Sequence, residues 1–271
     1  MFKVQSSRFN GGSRHFTSAT LNFEPGTLNS ESDFGVPIPG RVLPQDQWAK
    51  TAVKHLPPPG PLDWPALFGR DAAVVLDLGC GNGRFIIASA LARPQLNHLG
   101  VDILPLVIRY ATKRANQRGL ANVRLAVIGG YELLDEYVAP ASVAEIHLYH
   151  PQPYQDTQRH HRRLITPEFL ALVYRSLSPG GLVVFQTDNR AYWQYMRRVA
   201  PLLFDFEELT GNWPGAPQGR TRREIYARKH GLPIYRGQGR PKPQLPPERI
   251  VEIVRSEPAP DFDAGRSTSG R

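Results

Sequence analysis

Only one cysteine, Cys80, occurs in 271 residues, so no intrachain disulfide can form and a reducing compartment is expected. Long apolar runs are missing too: none approaches the ~18 residues that a membrane-spanning helix needs. The opening stretch MFKVQSSRFNGGSRHF lacks the apolar core of a secretion signal, and a cytoplasmic location with no membrane partner is expected. No Cys-x-x-Cys pair and no G-x-S-x-G elbow is present, so neither a metal site nor a nucleophile-elbow hydrolase is expected. Internal repeats are absent. Acid is in deficit, with 24 Asp and Glu against 33 Lys and Arg, a net charge of +9. A basic balance points to a polyanionic partner, commonly nucleic acid. The charge is concentrated: residues 218–242 hold eight Lys or Arg and one acid, Glu224, and a phosphate-binding surface is expected there.

Residues 1–40 are rich in Gly, Ser, Asn and Pro and read as an irregular arm. Residues 41–254 read as one domain, and 255–271 as a disordered tail. QDQWAKTAVKHL predicts a short helix stopped by PPPGP. From Ala72 strands and helices alternate. AVVLDLG, NHLGVDI, NVRLAVI, VAEIHLY and LVVFQTD read as strands; GRFIIASALARP, LVIRYATKRANQRGL, PEFLALVYRSLSPGG and NRAYWQYMRRVAPLL read as helices. Gly119 should end the second helix and Pro-Gly-Gly the third. Such alternation predicts an α/β fold, doubly wound, with a mostly parallel sheet and helices on both faces. Trp193 and Tyr195 read as packing residues.

DLGCGNG joins the first strand to the first helix. Gly79, Gly81 and Gly83 let backbone approach a ligand closely and direct helix N–H groups at it. Asp102 closes the next strand, 19 residues after Gly83, suited to accept hydrogen bonds from ribose hydroxyls. A dinucleotide site favours G-x-G-x-x-G; here the third glycine comes one position early and Asp77 opens the turn. An acid at that place suits the ammonium and sulfonium of S-adenosyl-L-methionine (SAM), which carries no phosphate.

Beyond the fourth strand stands YHPQPYQDTQRHHRRL. Prolines 151 and 153 stiffen the backbone around Gln152, whose amide both donates and accepts. His150 and Tyr154 offer flat faces to a base. Arg159, Arg162 and Arg163 stand at helical spacing, with His160 and His161 among them, and are expected to meet phosphates.

These stretches together resemble the tRNA (guanine-N7)-methyltransferases, a family of class I SAM-dependent enzymes with a Rossmann-like fold. HPQPYQDTQRHHRRL is similar to the family's F-P-D-P-W and the basic run after it. TDNR, with Thr187 and Asp188, looks like its T-D motif, and GRTRREIYARKHG, with Thr221 and Glu224, like its T-x-x-E segment. GRVLPQDQWAK resembles its N-terminal arm. The likeness covers roughly residues 40–240. It implies methyl transfer from SAM to N7 of a guanine in tRNA, in the variable loop. It also implies SAM contacts at Asp77, Gly79, Gly81, Gly83, Asp102, Gly129 and Glu132. Gln152 and Asp188 take the catalytic positions. His150, Tyr154, Arg159, His160, Arg162, Arg163, Thr187, Asp188, Thr221 and Glu224 would meet tRNA. Three positions depart from the pattern: Gln152 stands for the family's Asp, Tyr154 for its Trp, and Gly129 for an acid or amide near the adenine, with Glu132 close by. Three readings therefore stand open: a tRNA methyltransferase, a relative that binds SAM and RNA without transfer, and an enzyme acting on another RNA.

Overall fold

A computed structural model describes residues 31–243 and 245–263, so what was expected of residues 1–30 and 264–271 lies outside the described residues. The described chain opens with a hairpin of two short strands, β1 (Ser32–Asp33) and β2 (Val36–Pro37). Eight further strands follow: β3 (Ala52–Val53), β4 (Val74–Leu78), β5 (Asn97–Asp102), β6 (Val123–Val127), β7 (Val143–Tyr149), β8 (Leu177–Thr187), β9 (Phe204–Glu208) and β10 (Tyr235–Pro241). They form one sheet in the order β3-β6-β5-β4-β7-β8-β10-β9. Strands β3 to β8 are parallel to their neighbours, and β10 runs antiparallel between β8 and β9. From β4 the chain winds outward through β5 and β6, then returns to the other side of β4 for β7 and β8. That reversal opens a crevice beyond the C-terminal ends of β4 and β7, the usual place for ligands in doubly wound sheets.

The helices are α1 (Trp64–Phe68), α2 (Arg84–Ala92), α3 (Pro105–Gln117), α4 (Gly130–Glu132), α5 (Pro167–Ser176), α6 (Arg190–Leu203), α7 (Arg222–Lys229) and α8 (Pro247–Ser256). On one side of the sheet, Ile86, Ile87 and Ala90 of α2 and Ile108, Ala111 and Ala115 of α3 pack with Val123 and Leu125. On the other, α1, α5, α6 and α8 cover Leu76, Leu99, Ile146 and Phe185 through Phe68, Phe169, Val173, Tyr192, Met196 and Ile253. Helix α6 turns Tyr192, Trp193, Met196, Val199, Ala200 and Leu203 inward, the spacing of one helical face. Trp193 and Tyr195 are buried as packing residues. Among the described residues no helix is long and apolar enough to cross a membrane.

Four local readings change. QDQWAKTAVKHL forms no helix. It makes one tight turn at Gln45–Gln47 and then β3, which caps the open edge of β6: Leu125 N donates to Thr51 O at 2.8 Å, and Thr51 N to Asn116 Oδ1 at 2.9 Å. Pairing at a sheet edge outweighs local helix propensity here. Helix α5 stops at Ser176, before Pro-Gly-Gly, and β8 begins at once. Val143 pairs with Leu177 but Glu145 with Leu182, so the Pro-Gly-Gly residues bulge out of β8, with Gly180 at φ +72°. The arm is not irregular throughout, since 31–38 is a docked hairpin. The tail is ordered as far as Asp263, because α8 runs to Ser256 and Phe262 packs on Tyr192 and Tyr195.

Candidate active site

Three glycines shape the exit from β4. Gly79, Gly81 and Gly83 hold φ of +82°, +52° and +81°, a region that side chains disfavour. A Cβ at Gly79 or Gly81 would meet nothing within 4 Å, so this face of the turn is open. Gly83 serves packing instead: a Cβ there would fall 2.8 Å from Ala111 Cβ. The turn is tied down by Gly79 N and Cys80 N, which donate to Val101 O at 2.8 and 2.9 Å. Asp102 accepts from Gly81 N at 3.1 Å and from Leu104 N at 2.9 Å, so its carboxylate stands at the rim of the open face.

Asp77 is buried behind the same turn. Burial, and then the charge of Asp102, push its carboxyl well above the ordinary range. Two carboxylates sharing one crevice favour a cation and repel a pyrophosphate. Next to them the ends of β5 and β6 present Ile103 and Val127, 63% and 47% exposed, an apolar ledge open to a flat ring. The place a Cβ would take on Gly129 lies 3.7 Å from Ile103 Cγ2 and 3.9 Å from Glu132 Oε2. Glu132 thus brings a carboxylate to the space that Gly129 leaves without one. Open glycines, a ribose-ready acid, an apolar ledge and two adjacent carboxyls, whose charged forms a bound cation would favour, fit SAM. Asp102→Ala is expected to weaken both SAM and S-adenosylhomocysteine by about tenfold to a hundredfold, the loss of one or two hydrogen bonds to a charged group. Calorimetry showing unchanged affinity for either ligand would remove Asp102 from the site.

The second half of the crevice lies beyond β7. Here one chain of hydrogen bonds fixes the protons. Trp213 Nε1 can only donate, and it donates to Gln186 at 2.6 Å, which identifies the amide oxygen. The Gln186 amide nitrogen then donates to Glu224 Oε2 at 3.1 Å and to His150 Nε2 at 2.9 Å. His150 therefore carries its proton on Nδ1 and donates it to Asp188 Oδ1 at 3.0 Å. Arg223 Nε donates to the other oxygen, Asp188 Oδ2, at 3.0 Å. Burial raises the Asp188 carboxyl, but the His150 hydrogen bond and the Arg223 charge outweigh it and hold it at about 2. The result is an ionised carboxylate, paired with Arg223, at the C-terminal end of β8. Gln152 and Tyr154 are half-buried on the loop beside it. Arg220 lies in the same wall, its guanidinium 3.8 Å from the Trp213 ring centre and 3.2 Å from the Tyr149 hydroxyl.

Several expected contacts fall elsewhere. Glu224 is fully buried: Oε1 accepts from Arg228 at 2.7 and 3.0 Å, and Oε2 accepts from Arg220 N and Gln186. It organises the wall rather than facing the crevice. Thr221 caps α7 by accepting from Glu224 N at 3.1 Å, and Thr187 accepts from Asn189 N at 3.1 Å. Arg163 does not share a solvent face with Arg159 and Arg162, because it is buried and donates to backbone carbonyls. His160 faces Asp261 at 3.2 Å. Arg159 and Arg162 are exposed, on a turn spanning Thr157–Arg162. Four of the eight cations of the basic 218–242 segment meet acids: Arg222 meets Asp33, Arg223 meets Asp188, and Arg228 and Arg236 meet Glu224, while Lys229 donates to Phe34 O and Arg223, Lys229 and Arg240 stay exposed. Composition counts those charges without counting their partners. Asp33, Gln186 and Trp213 were missed, since each acts through residues distant in sequence; Gln186, next to Thr187, carried the nearest signal. Among the described residues no group of three or more His, Cys, Asp and Glu is arranged to hold a metal ion.

Comparison with known proteins sets the chain beside methyltransferases. A family model described as "Putative methyltransferase" matches residues 71–236. A tRNA (guanine-N(7)-)-methyltransferase of Shewanella woodyi is 30% identical over 190 residues, 69% of this chain and 79% of the relative. One of Nitrosococcus oceani is 30% identical over 203 residues, 72% of this chain and 85% of the relative. Among solved structures, the 16S rRNA methyltransferase KamB is similar in fold, with a TM-score of 0.53 at 16% identity, covering 72% of this chain and 99% of that one.

Proposed function

As a member of the tRNA (guanine-N7)-methyltransferase family, the chain has a SAM-binding fold, and we propose that it methylates N7 of a guanine in the variable loop of tRNA, in the cytoplasm. The observation that carries this reading is adjacency. The acid-lined glycine turn ends β4, and the loop with His150 and Gln152 ends β7, its neighbour, with Asp77 opposite His147 in register. A donor held at the first and a base held at the second would meet across the switch point of the sheet.

Bound SAM supplies a methyl group on a sulfonium. Guanine N7 has a free lone pair at neutral pH, so no base has to remove a proton first. The N7–carbon bond forms as the carbon–sulfur bond breaks, and the base gains positive charge. Alignment of the reacting atoms can contribute ~7–11 kcal/mol, and it is the chain's main task. Gln152 can accept from the guanine N1–H or N2–H₂ edge, and Tyr154 offers a stacking face. Asp188, ionised throughout the neutral range, stabilises the charge that develops on the base. His150 is engaged at both ring nitrogens and holds Asp188 in place. Arg159 and Arg162 stand where phosphates of the tRNA would pass.

Incubating the protein with labelled SAM and bulk tRNA, then cleaving chemically at 7-methylguanosine, should give breaks at one guanine. Label at another atom, or in another RNA alone, would redirect the reading. Binding of tRNA should weaken with salt by a slope of about 0.7–0.9 per phosphate contact. Arg159→Ala with Arg162→Ala should flatten that slope, and an unchanged slope would remove both from the interface. One observation favours a second reading, a relative that binds SAM and tRNA without transfer: Gln152 stands where the resemblance expects an acid. It predicts binding of both with no label incorporated.

A further inference from the structure

One buried guanidinium joins the loop after β7 to the C-terminal segment. Arg163 Nε donates to Pro153 O at 2.6 Å, and Nη2 donates to Tyr154 O at 3.0 Å. On its far side, Nη1 donates to Pro260 O and Nη2 to Phe262 O, both at 2.8 Å. Four of its five N–H donors are thus spent on carbonyls of two segments. Its Cζ lies 3.7 Å from the centre of the Phe262 ring. Phe262 is seated in turn against Tyr192 and Tyr195, at ring distances of 5.3 and 6.3 Å, and Tyr195 donates its hydroxyl to Pro258 O at 3.0 Å. His160, on the turn that follows the loop, meets Asp261 at 3.2 Å.

The loop held in this way needs holding. His150 and Tyr154 adopt φ of +51° and +38°, in the left-handed region that costs a non-glycine residue ~1–3 kcal/mol. Gln152 lies between them, so its orientation depends on two strained residues that can relax once a restraint is lost. The carbonyls of Pro153 and Tyr154 are where Arg163 applies that restraint. A lysine could not replace it, because a single ammonium cannot reach carbonyls on opposite sides.

We propose that Pro258–Phe262 is a clasp that sets the acceptor loop for methyl transfer, with Arg163 and Phe262 as positioning residues. Its effect on turnover rests on the methyl-transfer reading above; its effect on the loop does not. The test uses full-length Phe262→Ala, with Phe262→Tyr as the conservative partner and Arg163→Lys as a second break. Amide exchange over residues 150–156 should quicken in Phe262→Ala and Arg163→Lys, with residues 74–102 unchanged, and return to wild type in Phe262→Tyr. Calorimetry with S-adenosylhomocysteine should give the wild-type affinity. Single-turnover transfer should fall about tenfold in Phe262→Ala, a cost in keeping with a small misplacement of reacting groups, and recover in Phe262→Tyr. Unchanged exchange over 150–156 in both breaking variants overturns the clasp. So does faster exchange spread evenly over the sheet, or wild-type transfer in spite of a loosened loop. If the wild-type protein transfers no methyl group, the methyl-transfer reading falls, and exchange over 150–156 still decides whether the clasp exists.

Discussion

Asp33→Ala lowers the free energy of unfolding by about 3–5 kcal/mol, the usual result of removing one partner from a buried ion cluster. Asp33 is 1% exposed, on the first strand of the N-terminal hairpin. Its carboxylate accepts from Asn82 Nδ2 at 2.8 Å and from Arg84 Nη1 at 3.3 Å. Arg114 Nη2 and Arg222 Nε stand 3.9 and 3.7 Å away. One carboxylate therefore faces guanidinium groups from α2, α3 and α7. Burial lowers the pKa of all three arginines, and the charge of Asp33 opposes it. Without Asp33 they keep the burial and lose the shared counter-charge. Asp33→Asn keeps the volume but not the charge, so it should destabilise to a similar degree. Urea unfolding of both variants measures this, and a loss below about 1 kcal/mol would place the weight of the hairpin elsewhere, at the level of an exposed pair. Because Asn82 lies inside the glycine turn, S-adenosylhomocysteine affinity should fall with stability in these variants.

What the sequence made legible follows from range. Strands β4 to β8 could be read because each is a short apolar run bounded by glycine, proline or charge, and their neighbours are set by alternation with helices. The glycine turn could be read because its geometry is local, and Asp102 because strand ends in this fold recur at a fixed spacing. Asp33 could not: it lies in the stretch whose composition reads as an irregular arm, and nothing nearby indicates that it closes on Arg84, Arg114 and Arg222. Gln186 and Trp213 likewise pair across 27 residues. Glu224 was legible as important but not as to its role, since an exposed acid and a buried one share the same letter. The basic 218–242 segment was legible as charge but not in its partners, since four of its eight cations meet Asp33, Asp188 or Glu224 while Arg223, Lys229 and Arg240 stay exposed. The exposed pair Arg159 and Arg162 adds to these cations on a second segment, which overall charge alone would rank second.

Asp188→Asn is expected to lower single-turnover methyl transfer by about a hundredfold, the loss that follows removal of one preorganised electrostatic group. Asparagine can still accept from His150 Nδ1–H, and the bonds from Trp213 through Gln186 still fix the ring, so the His150 side is kept, while the new NH₂ faces Arg223, which loses its acceptor together with the charge. A carboxylate near a base gaining positive charge stabilises the transition state more than the ground state, so the loss should appear in the chemical step and leave tRNA affinity little changed. The same physics runs the other way at Gln152. Gln152→Asp should raise transfer by about tenfold, ~1.4 kcal/mol, with Gln152→Glu as the control for reach and Gln152→Ala lower than wild type. If both positions act on the same developing charge, Gln152→Asp should recover about that tenfold in an Asp188→Asn background. Wild-type rates in Asp188→Asn would remove Asp188 from the reacting base, and equal rates in every Gln152 variant would move the base away from the loop after β7. Binding of SAM and tRNA with no transfer by any variant, wild type included, would leave an RNA-binding relative in which the crevice holds both ligands and the chemistry has been lost.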